Sequence, residues 1–139
     1  MKIYIYCIYN NKMKRDFYIG STKNYKHRIS DHKSYCNNPN CSKYNLKVYK
    51  FIRENGGWSN WSKMVIATIE VQDKLEQRKI EQVYIDHLEP GLNCDRSYRT
   101  LEQRNEQHKE CEKKYYKKNK EQINKKINCA CGGKYTWHH

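Results

Sequence analysis

Tyr18, Arg28 and His32 are the first residues whose types and spacing could do chemistry. Tyr18 lies in the run Phe17-Tyr18-Ile19, which breaks at Gly20 and passes through Ser21-Thr22 into a basic segment. Arg28 and His32 are four residues apart, so on a helix they share a face. A permanent cation beside a titratable imidazole, next to a strand-end tyrosine, suits an anionic, phosphate-bearing substrate. The same residues would serve equally well as a solvated basic helix after a hairpin. Further on, Glu81 sits among Ile80, Val83, Tyr84, Ile85 and Leu88, and Asn93 follows the same segment. A carboxylate on the apolar side of a helix is costly unless it is paired. Glu81 is therefore a metal ligand, a partner for Arg28, or an edge residue reaching solvent.

These groups need elements to position them. Residues 2–9, KIYIYCIY, read as a strand. Alternation puts Tyr4, Tyr6 and Ile8 on one face and Ile3, Ile5, Cys7 and Tyr9 on the other. Neither face is polar, which predicts a central strand covered on both sides. Residues 10–16 form a polar connection, and residues 17–19 return as an antiparallel strand that brings Tyr18 near Tyr6. Gly20 supplies the turn, and Thr22 or Ser21 caps a helix over residues 24–34. Residues 35–42 read as a loop holding Cys36 and Cys41. A second helix spans residues 46–54 and stops at Gly56-Gly57. Trp58 and Trp61 follow as lids on the core, and residues 64–71 form a third strand. Asp73 and Glu76 open a helix that runs to about Leu88, before Pro90-Gly91. Ile80, Val83, Tyr84 and Leu88 are expected on one apolar arc of it.

Composition narrows the partners. The chain has 139 residues, with 28 Lys and Arg against 15 Asp and Glu, a net charge of +13. That excess predicts an acidic partner, nucleic acid before a membrane surface, because no apolar run is long enough to span a bilayer. Residues 1–35 and residues 96–127 each carry a net +6, whereas residues 36–95 are neutral. The middle is built to pack and both flanks to meet phosphates. Met1 to Tyr9 has neither the long apolar core nor the cleavage site of a signal peptide. Seven cysteines in no disulfide-scaffold spacing imply reduced thiols and an intracellular protein, in cytoplasm or nucleus.

Three segments are expected: a folded domain over 1–95, a basic helical or disordered linker over 96–127, and a short tail over 128–139. Lys113, Lys114, Lys117 and Lys118 surround Tyr115-Tyr116 in the linker, a pattern suited to phosphate contact with base stacking. Lys26, on the first helix, is a further candidate contact. In the tail, Cys129, Cys131, His138 and His139 could supply Zn²⁺ ligands, at an unusual spacing.

Taken together these residues resemble the GIY-YIG endonuclease family over Ile3 to about Asp95. The first motif matches Tyr4-Ile5-Tyr6, with Tyr4 where the family has glycine, and the second matches Tyr18-Ile19-Gly20. A register with Cys7-Ile8-Tyr9 as the first motif leaves a shorter hairpin, and Tyr6 is preferred. The family's helix arginine and histidine match Arg28 and His32, its metal-binding glutamate Glu81, and its late asparagine Asn93. The basic segment and the Cys-Xaa-Cys-Gly-Gly stretch resemble tails on viral members.

The resemblance implies an α/β fold, a small three-stranded antiparallel sheet flanked by helices, with the basic C-terminal helix appended. It implies a metal-dependent endonuclease that hydrolyses DNA phosphodiester bonds. Glu81 would hold one Mg²⁺ or Mn²⁺, Arg28 would grip the scissile phosphate, and Tyr6 would be general base, its phenol lowered by adjacent cations or metal-bound water. Tyr18 would hold water or phosphate, His32 would assist proton transfer or bind phosphate, and Asn93 would orient Glu81 or the backbone. The rival is a nucleic-acid-binding protein that keeps the fold without cleaving. Target, monomer or weak dimer, and DNA over RNA are not legible in the residues themselves.

Overall fold

A computed structural model describes residues 1–136. Strands β1 (Lys2–Asn10) and β2 (Met13–Thr22) form a hairpin, followed by helices α1 (Tyr25–Asn37) and α2 (Lys47–Glu54). A single 3₁₀ turn at Trp58–Asn60 leads into β3 (Ser62–Glu70), and α3 spans Lys74–Leu88. The sheet is antiparallel with order β2-β1-β3, so β1 is central, as its two apolar faces predict.

Each face of the sheet buries its own cluster. Tyr6 and Ile8 pack with Cys36, Val48, Tyr49, Ile52, Trp58, Trp61 and Leu92 beneath α1 and α2. Ile3, Ile5, Ile19 and Val71 pack on the other side against Phe17, Ile80, Tyr84 and Ile85. Trp58 and Trp61 are buried and cap the core. Gly56 and Gly57 both take positive φ, +97° and +78°, where a side chain would be strained.

Several expectations need correction. Residues 13–16 are not connection but the start of β2; the polar side chains of Lys14, Arg15 and Asp16 suit an edge strand, which has solvent on one side. Strand β2 also runs straight through Gly20 to Thr22, so Gly20 makes no turn. Its role is space: a Cβ there would lie 2.5 Å from the Tyr6 hydroxyl and 2.7 Å from Cζ. The cap of α1 is Asn24, whose Oδ1 accepts from the His27 N–H at 3.1 Å, in place of Thr22 or Ser21. On α3, Ile80, Tyr84 and Ile85 face the sheet, but Val83 is 64% exposed and Leu88 40%. Val83 lies about 60° round the helix from Ile80 on one side and Tyr84 about 40° on the other, so a narrow stripe centred toward Tyr84 and Ile85 leaves Val83 outside.

After α3 the chain turns at Glu89, in the left-handed region, and follows the outer edge of β2. Gly91 N–H donates to Arg15 O at 2.9 Å and Leu92 N–H to Phe17 O at 3.1 Å. Residues 96–98 stay with this first compact unit, which spans residues 1–98.

The second unit covers residues 99–139. Its helix α4 (Leu101–Ile123) settles the choice between helix and disorder for the basic segment. It starts with a reciprocal capping box: Thr100 Oγ1 accepts from Gln103 N–H, and Gln103 Oε1 from Thr100 N–H. A short hairpin follows, β4 (Lys126–Asn128) with β5 (Lys134–Thr136). No helix among the described residues is long and apolar enough to cross a membrane.

Candidate active site

The site begins where β1 meets α1. Tyr6 pairs across the hairpin with Gly20, and Ile8 with Tyr18, so the two tyrosines are diagonal neighbours with ring centroids 6.4 Å apart. Tyr6 is fully buried in the space that Gly20 leaves open. Its hydroxyl lies 2.7 Å from His32 Nε2 and accepts from Arg28 Nε at 3.2 Å. One turn of α1 therefore brings the arginine and the histidine to the same phenol. Tyr9, the alternative first-motif tyrosine, instead pairs with Ser62 on β3.

His32 is 1% exposed, and its other nitrogen, Nδ1, lies 2.8 Å from the Tyr49 hydroxyl. Both ring nitrogens thus face buried phenols, and the ring stacks on Trp58 at 6.5 Å between centroids. No nitrogen is left to bind phosphate, which corrects that part of the expectation. Burial first, then the charges of Arg28 and Lys43, pushes the imidazole down to about 3. A neutral imidazole has one donor and one acceptor nitrogen, so one of Tyr6 and Tyr49 donates to it while the other accepts.

Burial also governs the phenols. It pushes Tyr6 far above its ordinary value, Tyr18 adds to the rise, and Arg28 offsets only part of it. Arg28 does lower Tyr6, through its charge and its hydrogen bond, but desolvation outweighs the one guanidinium in contact. Tyr18 is raised as well, by burial first and then by the Glu81 charge.

Glu81 projects from α3 toward the end of β2. Ser21 Oγ donates to its Oε2 and Ser97 Oγ to its Oε1, while Gln77 Nε2 donates to Ser21 Oγ at 2.8 Å. Serine hydroxyls, not Arg28, are its direct partners. The carboxylate lines an open cleft of about 260 Å³ together with Tyr18, Lys47, Asn93, Asp95 and Arg96. Asn93 is turned to the backbone: its Oδ1 accepts from Ile19 N–H at 2.9 Å and its Nδ2 donates to Ile19 O at 2.8 Å. It completes the edge of β2 between Tyr18 and Gly20 as a strand would.

A single glutamate suits Mg²⁺ or Mn²⁺, which are bound by one or two carboxylates and complete their shells with water and phosphate oxygens. No group of three or more His, Cys, Asp or Glu that could hold a metal ion is assembled among the described residues. Glu81 offers one carboxylate beside an open cleft that Asp95 also lines.

The remaining candidates are surface residues. Lys26 is exposed on α1, and Lys113, Lys114, Lys117 and Lys118 are exposed on α4. Cys129 and Cys131 share the β4–β5 turn, where a hydrogen bond from Cys129 pulls the Cys131 thiol below its ordinary value. His138 and His139, the other expected zinc ligands, lie outside the described residues. Sequence reading missed Tyr49, Gln77 and Ser97 as parts of the site. Ser21 was weighed only as a cap. The one signal for Gln77 was helical spacing, since it precedes Glu81 by four and shares its face.

Residues 2–93 match the GIY-YIG catalytic domain, and the chain belongs to that family. Among solved structures, a point mutant of the catalytic domain of the intron endonuclease I-TevI has a similar fold. The TM-score is 0.56 at 20% identity, covering 72% of this chain and 100% of that one. Among functionally curated proteins none matches significantly.

Proposed function

We propose that the first unit is a divalent-metal-dependent DNA endonuclease. The observation that carries this reading is the Tyr6 hydroxyl, held by His32 Nε2 at 2.7 Å and Arg28 Nε at 3.2 Å, on the sheet whose neighbouring strand anchors Glu81. Hydrolysis needs a proton removed from water, charge offset on the phosphate, and a neutralised leaving oxygen. Tyr6 is too basic to stand as a phenolate before substrate binds. It becomes a base only after its own proton has left to solvent: the phenolate, held by Arg28 Nε and by the Nε2–H of a neutral His32 whose Nδ1 accepts from Tyr49, then takes the proton from water.

The rest of the Arg28 fork grips the scissile phosphate, with a planarity that Lys lacks. Tyr18, kept neutral, donates a hydrogen bond to water or phosphate. Glu81 would hold Mg²⁺ or Mn²⁺, and such an ion offsets charge on the phosphate and leaving oxygen. The lysines of α4 add affinity through the DNA backbone without reading sequence.

Plasmid nicking tests this. The full chain is expected to nick with Mg²⁺, and Arg28→Ala and Glu81→Ala to lose roughly 100-fold or more in rate while still shifting DNA in EDTA. Equal cutting by all three proteins would place the activity elsewhere. A gel shift without cleavage in Mg²⁺ or Mn²⁺ would make the protein a binder that keeps the fold.

A further inference from the structure

Glu81 is held in an unusual way. Each carboxylate oxygen accepts from a serine, and those serines come from different parts of the chain: Ser21 from β2 and Ser97 from the segment after the family-matched residues. Gln77 donates to Ser21 Oγ, which occupies a lone pair of that oxygen and leaves its hydrogen for Glu81. Residues 96–98 are themselves strapped along α3. Arg96 pairs with Asp86 at 3.2 Å, the Tyr98 N–H donates to Gln82 Oε1 at 3.4 Å, and Lys79 lies 5.4 Å from the Tyr98 ring centre.

These partners orient the carboxylate without neutralising it. Lys74 and Arg78 line a shallow groove with Glu81, yet no ion pair among the described residues involves Glu81. A carboxylate kept only for stability is expected to be paired with a cation. Here each oxygen keeps a second lone pair that no serine occupies, and Glu81 lines the cleft. That is the arrangement of a ligand whose geometry is set by outer hydrogen bonds.

We propose that Ser97 and Ser21 are positioning residues that hold the Glu81 carboxylate in the orientation in which it takes its divalent cation. The segment beyond the matched domain thereby completes the metal site. This rests on Glu81 being the metal ligand.

The test uses the full chain and Mn²⁺ alone, with the free ion followed by electron paramagnetic resonance. Ser97→Ala is expected to weaken Mn²⁺ binding roughly 10-fold, and Ser97→Thr, which keeps the hydroxyl, to restore it. The Mg²⁺ concentration for half-maximal nicking should rise by the same factor, with the rate at saturating Mg²⁺ little changed and the urea midpoint unaltered. Ser21→Ala gives a second variant on a different element, expected to weaken Mn²⁺ binding likewise, should loss of Ser97 impair folding. Unchanged or tighter Mn²⁺ binding in the alanine variants, with binding lost in Glu81→Gln, overturns the positioning role alone. If Glu81→Gln binds Mn²⁺ as the wild type does, the assignment of the ligand has failed and the positioning role falls with it.

Discussion

His32 shows how burial changes what a residue type can do. An exposed histidine beside an arginine would bind phosphate; here it is a neutral link between two phenols. The unfolded chain protonates this imidazole near about 6.5, whereas the folded one resists protonation down to about 3. Below the unfolded value the unfolded state binds the extra proton, so stability falls as pH falls. The loss is roughly 1.4 kcal/mol per pH unit across that window. Urea midpoints measured from pH 7.5 to 4.5 should decline accordingly, and His32→Gln should flatten the decline. An equal slope in the variant would assign the acid sensitivity to other groups. Gly20 teaches the same lesson. Its place in the motif looked like a turn, but the ring of Tyr6 is what excludes a side chain there.

At the scale of elements, β2 is an edge strand that carries Tyr18, Gly20 and Ser21, and an edge needs a partner. The segment after α3 provides one. Gly91 lies against it so closely that a Cβ would meet Arg15 O at 2.7 Å. Asn93 finishes the pairing with its side-chain amide on both backbone groups of Ile19. Asn93→Ala leaves that N–H and C=O without these partners, at a cost of about 1–3 kcal/mol. The expected result is a lower urea midpoint and faster amide exchange at Ile19. Unchanged exchange there would mean that β2 holds its position without Asn93. The Asn93 side chain is turned to the backbone of Ile19, between Tyr18 and Gly20 on the strand.

For the whole molecule, charge is segregated along the chain. The central residues balance their charges and pack, and α4 exposes a run of lysines. Each phosphate contact releases counterions, so DNA binding should weaken steeply with salt. Replacing Lys113, Lys114, Lys117 and Lys118 together by Ala should make the slope of log K against log salt shallower, by up to about 3–4. Fluorescence anisotropy in EDTA across a salt series measures this. An unaltered slope would mean that α4 makes no phosphate contact.

Much of the fold could be read from local pattern. The two apolar faces of β1 made it central, the Gly56-Gly57 pair ended α2, and Asp73 marked the start of α3. These are short-range effects, governed by side-chain alternation, backbone freedom and capping. The motif residues also pointed to one site, because strand and helix periods place Tyr6, Tyr18, Arg28 and His32 within reach of each other. Which groups hold them was decided by tertiary structure. Ser97 reaches Glu81 across 16 residues, Asn93 reaches Ile19 across 74, and Tyr49 closes on His32 from a separate helix. Protonation followed from the same packing. Sequence supplies each group's intrinsic basicity, but desolvation by distant segments moved Tyr6 up and His32 down.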